Sequence, residues 1–362
     1  VLEWLLRHHH RTGRAEALAI VGRTCERMAR GGMYDQLAGG FARYSVDRAW
    51  VVPHFEKMLY DNALLLRVYL HWYTATGLPL AERVVRETAA FLLDDLGTAE
   101  GGFASALDAD ADGVEGLTYV WTPPQLAEVL PPDDAAWAAE LLSVTPHGTF
   151  EQGASTLQLR TDPDDWARWD AARDLLLAAR SGRPQPVRDD KVVAGWNGLA
   201  ITALTEAGVV LDEPSWVRAA QRCGELVMGV HWDGSRLRRV SRDGVAGSPA
   251  GVLEDYGALA EGLLALLGAT GDPGWLRHAQ ALLDVALEQF VEDEVYDTAR
   301  DATDERLGRR PSDPTDNASP SGRSALVQAL VLAGAVTGEA RYREAAEKGL
   351  GTAATLATQA PR

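Results

Sequence analysis

Cysteine is nearly absent from these 362 residues: Cys25 and Cys223 are the only two, and they stand far apart. That excludes a disulfide framework and a redox Cys-x-x-Cys pair, and it fits a reducing cytoplasm. Clusters of basic residues are missing too. With 35 Lys and Arg against 52 Asp and Glu, the net charge is −17. Neither nucleic acid nor an anionic membrane would be attracted to such a chain. No apolar run reaches the length of a bilayer span, and no signal-peptide pattern opens the chain. The expectation is therefore a cytoplasmic protein with neither nucleic acid nor membrane as partner. Helical patterning is already under way at Val1, so a longer protein is expected, with a part preceding this one. The run His8-His9-His10 suits a helix C-terminus, where the dipole favours partial positive charge, better than a metal site.

Lysine and asparagine are the next scarcities. The chain is rich in Ala and Arg, yet holds only Lys57, Lys191 and Lys348, and only Asn62, Asn197 and Asn317. Lysine persists in an arginine-rich chain where a compact, strongly hydrated ammonium does what a guanidinium fork cannot. Two of these lysines and all three asparagines lie in polar clusters; Lys348, on an ordinary surface helix, is the exception.

At 46% hydrophobic, the chain can bury a large core. Helix-breaking turns punctuate it at Thr12-Gly13, Thr76-Gly77, Pro131 to Asp134, Asp212, Thr270-Gly271 and Thr337-Gly338. Each lies between two helical patterns, which makes six αα-hairpins. In "MLYDNALLLRVYLHWYTATG" apolar residues run almost all round, the mark of a helix buried on every side. Its partner "LAERVVRETAAFLLDDL" is amphipathic, with Val84, Val85, Thr88, Phe91 and Leu92 as its apolar stripe. Six inner helices ringed by six outer ones give an all-α fold, an (α/α)6 barrel. Residues 1–362 are read as one domain, with an elaboration at 145–195 that holds a strand-like "STLQLR". Long loops with Gly pairs and alternating aromatics add small β-hairpins at one end; the last runs from "VEDEVYDTARD" to "DNASPSG".

Polar clusters sit where the inner helices begin: His54 to Asn62, Trp196-Asn197-Gly198, Glu254-Asp255-Tyr256, and "DNASPSG" from Asp316. Pro53 suits the first helical position, which would put His54, Lys57 and Asp61 on one face. Helix N-termini present free N–H groups to polyhydroxyl or anionic ligands. Trp50, Phe55, Tyr60, Trp121, Trp196 and Tyr256 add flat apolar faces. A Ser, Asp or Asn at a helix start is ordinarily a cap, and a histidine satisfied in the core is the plain alternative for His54. His54 is the sharpest candidate because His titrates near neutrality. "DADADGVEG" opens like a calcium loop, but Tyr119 stands where the bidentate Glu should be. An acidic rim loop is expected there, with no metal and no cofactor. Asp108, Asp110 and Glu115 are its candidate acid/base and substrate-binding groups.

"GGMYDQLAGGFARYSVDRAWVVPHFEKMLYDNALL", "DADADGVEGLTYVWT", "DDKVVAGWNGLAI" and "VLEDYGALAEGLLAL" together closely resemble the thioredoxin-domain proteins of the YyaL and spermatogenesis-associated type. The resemblance implies a thioredoxin-like domain upstream and partnering the barrel. It also implies a barrel similar to N-acylglucosamine 2-epimerases and six-hairpin glycosidases. Arg323 departs from the pattern, where a smaller polar residue such as Asn is expected.

The leading expectation is a barrel that binds or acts on a sugar or sugar-like small molecule. As an epimerase or isomerase it would use His54 as general base, Lys57 or Lys191 against the enediolate, and Asp255 or Glu254 to polarise a hydroxyl. Tyr60, Asn62, Trp121, Lys191, Trp196, Asn197 and Tyr256 would bind substrate with the rim loop. As a glycoside hydrolase it would oppose two carboxylates from Asp61, Asp108, Asp110, Glu254 and Asp255, about 5–10 Å apart. The third reading is a non-catalytic barrel that recognises a partner or glycan for the thioredoxin-like domain.

Overall fold

The computed structural model describes residues 1–302 and 310–359. Residues 303–309 of the last long loop lie outside the described residues. The chain divides into two compact units, the first of residues 1–96 and 106–189, the second of residues 97–105 and 190–362.

Three hairpins build unit 1: α1 (Leu2–Thr12) with α2 (Ala15–Arg30), α3 (Leu59–Thr76) with α4 (Pro79–Asp94), and α5 (Pro123–Val129) with α6 (Pro132–Leu141). The turns fall where Gly and Pro demanded them. α3 is buried nearly all round, through Leu59, Ala63, Leu66, Tyr69 and Trp72, whereas α4 buries one face, the expected stripe with Ala81 and Ala89 added. The third hairpin is short and gains its core from α7 (Trp166–Ser181), with Trp121, Leu126, Leu142, Leu159, Trp169 and Leu176 packed together. "STLQLR" makes one β-bridge, from Ser155 to Trp121, and backbone hydrogen bonds from Gln158 N to Leu142 O and from Leu159 N to Arg30 O, so it is extended without becoming a strand.

The approach to α3 corrects the sequence expectation. Pro53 does not start the helix. β1 (Tyr44–Ser45) pairs with β2 (Pro53–His54), and β3 (Lys57–Met58) pairs with β4 (Ala106–Leu107), itself paired to β7 (Arg188–Asp189). β5 (Asp110–Ala111) and β6 (Val114–Glu115) form the acidic rim hairpin. The ladders satisfy the backbone groups of 53–58, and helix begins only at Leu59. A period of two therefore governs this segment: Phe55 and Lys57 are buried, while His54 and Glu56 are half-exposed between them.

Unit 2 carries the other three hairpins: α8 (Ala194–Val210) with α9 (Pro214–Val230), α10 (Leu253–Thr270) with α11 (Pro273–Phe290), and α12 (Gly322–Thr337) with α13 (Ala340–Gln359). A small sheet of β8 (Val192–Val193), β9 (Val240–Arg242) and β10 (Val245–Ala246) precedes them in space. α10 packs between α8 and α12, with α11 behind it. Contact is backbone to backbone: a Cβ on Gly198 would lie 2.5 Å from the main chain of Ala258 and Leu259. Gly is the residue that permits so close an approach.

Candidate functional site

The outer face of β2 and the first turn of α3 gather titratable groups. His54 Nδ1 lies 2.8 Å from Glu115 Oε1, and its Nε2 lies 3.7 Å from Glu56 Oε2. Its ring stacks on Tyr44, with centroids 5.1 Å apart. Arg43 Nη1 donates to Glu56 Oε2 at 2.9 Å, and the same guanidinium acts on Tyr60 and Asp61. Asp61 Oδ2 is buried without a hydrogen-bond partner among the described residues. Burial pushes the Asp61 carboxyl up to about 7, with Glu56 reinforcing the shift and Arg43 opposing it. A string of groups thus runs from Glu115 through His54, Glu56 and Arg43 to Asp61. Within it the Asp61 carboxyl exchanges its proton near neutrality.

The raised Asp61 value carries a stability prediction. Its folded-state pKa exceeds the unfolded one, about 3.9, so protonation favours the fold. That stabilisation is complete below about pH 4 and is lost as pH rises through about 7. On going from pH 8 to pH 5, wild type should gain about 1–2 kcal/mol over Asp61→Asn, a figure reduced for partial solvent screening. Urea midpoints of both proteins at the two pH values check this; parallel pH dependences would refute it.

The inner face holds a different cluster. Lys57 Nζ donates to Asp35 Oδ2 at 2.8 Å and to Gly39 O at 3.2 Å, and Arg180 Nη1 reaches both Asp35 oxygens at 2.8 and 2.9 Å. The ammonium lies 4.8 Å from the centre of the Phe91 ring and 4.9 Å from that of Tyr119. Burial alone would raise the Asp35 carboxyl, but Arg180 and Lys57 hold it well below the usual carboxylate range. The turn at Gly39-Gly40, both at positive φ, packs so closely on α4 that a Cβ on Gly39 would meet Glu87 O at 2.5 Å. Lys57 therefore does not stand beside His54 to stabilise an enediolate, as the helical reading had it. Strand alternation turns it to the opposite face, where it is committed to Asp35.

In unit 2, Arg239 forks between Glu254 at 2.5 Å and Asp255 at 2.9 Å. Asp255 also accepts from Gly195 N at 3.0 Å and Val252 N at 2.9 Å. Burial pushes Asp255 up to about 6, against the pull of Arg239 and these amides. The two carboxylates thus share one cation rather than facing each other as a hydrolytic pair. Half-buried Trp196 lines a hollow of about 10 Å³ with Glu254, Ser319 and Pro320. Arg323 is buried, its Nε and Nη1 without hydrogen-bond partners among the described residues.

Several expected ligand contacts are instead structural. Asn62 accepts from Phe41 N at 2.7 Å and donates to Phe41 O and Met58 O. Asn197 does the same in unit 2, with Phe103 N, Phe103 O and Val193 O. Each is the fourth residue of an inner helix and reads the main chain of a preceding loop. Tyr256 holds the same position in α10; its hydroxyl accepts from Leu237 N and its ring packs on Phe290. Trp121 is fully buried beneath the Arg183 guanidinium. Full burial corrects the assignment of Asn62, Asn197, Tyr256 and Trp121 to ligand binding, and Tyr60 is 6% exposed. Asp108, Asp110, Glu115 and Lys191 are exposed, and of these Glu115 contacts His54. Among the described residues no group of three or more His, Cys, Asp or Glu could hold a metal, and no helix is long and apolar enough to cross a membrane.

Sequence reasoning missed Asp35, Arg180, Arg43 and Arg239. For Arg180 a signal existed: with Trp169, Ala172 and Leu176 it continues the buried stripe of α7. A charge on an apolar stripe asks for a buried partner. Asp35, set between Gly pairs, carried no comparable cue.

No family model matches the chain. Spermatogenesis-associated protein 20 of Rattus norvegicus is 32% identical over an alignment of 375 positions, gaps included, that covers 90% of this chain and 47% of that protein. The chain thus spans about half the length of the curated relatives it matches. Among solved structures, a D-mannose isomerase aligns with a TM-score of 0.54 and 14% identity, covering 91% of this chain and 69% of its own. An unsaturated glucuronyl hydrolase specific for heparin aligns with a TM-score of 0.55 and 13% identity, covering 96% and 70%. The all-α, six-hairpin (α/α)6 barrel class expected from the sequence is the fold these structures share with the chain.

Proposed function

Since the chain is a homologue of the spermatogenesis-associated protein 20 proteins over about half of their length, we propose that this part is a sugar-acting barrel of the isomerase or epimerase type. Its proton transfer centres on His54 and Asp61. His54 takes the proton from the carbon alpha to a sugar carbonyl, and protonated Asp61 gives one to the carbonyl oxygen, so that an enediol forms; reprotonation at carbon completes the exchange. Glu115 and Glu56 flank the imidazole and fix its orientation.

One observation carries this reading: a carboxyl pushed up to about 7, with an unpartnered buried oxygen, linked through Arg43 and Glu56 to a half-exposed histidine. A general acid–base pair at neutral pH needs such values. The sugar class is suggested by fold-level likeness to the D-mannose isomerase.

Incubation with D-mannose or D-glucose in D2O, followed by proton NMR, tests it. Loss of the C2 proton signal is expected with wild type, and His54→Gln and Asp61→Asn should each slow it about 10²-fold. No exchange with wild type, or equal exchange in both variants, overturns the proposal. Release of a reducing end from an unsaturated glucuronyl disaccharide would favour hydrolysis instead.

A further inference from the structure

Beneath Lys57, unit 1 encloses a cavity of about 150 Å³. Its floor is Asp35, Lys57 and Arg180, whose side chains are 5%, 5% and 10% exposed. Exposed Asp95 and Gln185 stand at its outer side, which gives an entry path. Tyr119, Leu107 and Pro186 supply apolar wall. At about 30 Å³ per water in the liquid, the space holds roughly five waters, or a three- to four-carbon polyol.

We propose that this cavity is a binding site for a small neutral polyhydroxylated molecule. Charge selects the class. Lys57 and Arg180 against Asp35 and Asp95 sum to zero, so an ionic ligand would bring an unbalanced charge into a largely desolvated space. Asp35 engages both cations directly, whereas Asp95 lines the cavity and makes an ion pair with neither among the described residues. A hydroxyl both donates and accepts, so vicinal hydroxyls can accept from Lys57 or Arg180 while donating to Asp95. Hydrogen bonds to ionised groups are the strong ones. Tyr119 offers its ring to the carbon face, as aromatic walls do in small-molecule sites. The site does not rest on the proton-transfer reading: Lys57 and His54 occupy opposite faces of one extended segment, and either proposal stands if the other fails.

Calorimetric titration of the intact chain with erythritol is the test. Wild type is expected to bind saturably. Ala38→Leu, which fills the cavity, and Asp95→Asn, which removes an outer carboxylate without touching the buried triad, should each weaken binding about tenfold or more. Circular dichroism melts of both variants establish that they fold, and the Asp95 variant keeps the test open if the leucine does not fit. Absence of saturable heat with wild type means that only water fills the cavity, which overturns the proposal. Equal affinity in wild type and both variants overturns it as well, as does tighter binding of sulfate than of erythritol, which would mark an anion site.

Discussion

Asp35→Asn should lower the stability of unit 1 by about 3–5 kcal/mol, the cost of removing one partner from a buried ion cluster. The change is nearly isosteric, and Asn can still accept the Leu37 and Ala38 amides that Asp35 Oδ1 now takes at 3.0 and 3.2 Å. What disappears is the counter-charge to both Lys57 and Arg180, two cations that no solvent reaches freely. Their mutual repulsion is then screened only by the water of the adjoining cavity. The measurement is the urea unfolding midpoint of the intact chain, with Lys57→Met and the double variant completing a cycle. Adding Lys57→Met to Asp35→Asn should restore part of the loss, because one orphaned charge has gone. An unfolding free energy within about 1 kcal/mol of wild type would mean that the cluster is held by packing alone. The pH dependence runs opposite to that of Asp61. Because the folded-state pKa of Asp35 is depressed, its contribution is present above the ordinary carboxylate range and is lost as pH falls through and below that range.

Asn62→Asp and Asn197→Asp come next, each expected to cost about 3–5 kcal/mol through strained or stranded buried hydrogen bonds. Asparagine suits these sites because one end accepts and the other donates, matching an amide N–H and two carbonyls at once. Aspartate keeps the acceptor for Phe41 N, but sets its second oxygen against Phe41 O and Met58 O, now 3.0 and 2.9 Å from Nδ2. The Asn197 site repeats this with Phe103 and Val193. Hydrogen exchange distinguishes the two. Asn62→Asp should lose protection around Phe41 and Asn197→Asp around Phe103, each loop failing alone. Catalytic or ligand-binding roles would predict lost activity with unchanged protection.

Much of the architecture is local in origin and therefore legible. Thr-Gly and Pro-rich turns break helices wherever they occur, because a missing Cβ or N–H acts on its immediate neighbours. All-round apolarity in α3, α8 and α10 and the single stripe of α4 likewise state which helices lie inside. His54 and Asp61 could be named because titratable residues at the edge of a buried helix are conspicuous. The rarity of Asn62 and Asn197 was a real signal, but of structure: an amide that must serve both donors and acceptors has no common substitute.

The facing of residues 53–58 could not be read. Pro53 is as good a helix starter as any, and the ladders that override it come from Tyr44–Ser45 and Ala106–Leu107. That choice of period, two instead of 3.6, separates His54 from Lys57 and decides which groups can share a reaction. Nor could the partners of Lys57 be read, since Arg180 meets Asp35 across 145 residues of sequence. The sequence by itself determined the hairpins, the inner and outer helices and the presence of polar groups at their entrances, because short-range sterics and amphipathicity suffice for these. Only the tertiary structure decided which polar groups satisfy buried backbone, which neutralise one another and which retain an unpartnered oxygen. Hydrogen bonding and desolvation depend on whatever remote segment the fold brings within 3 Å.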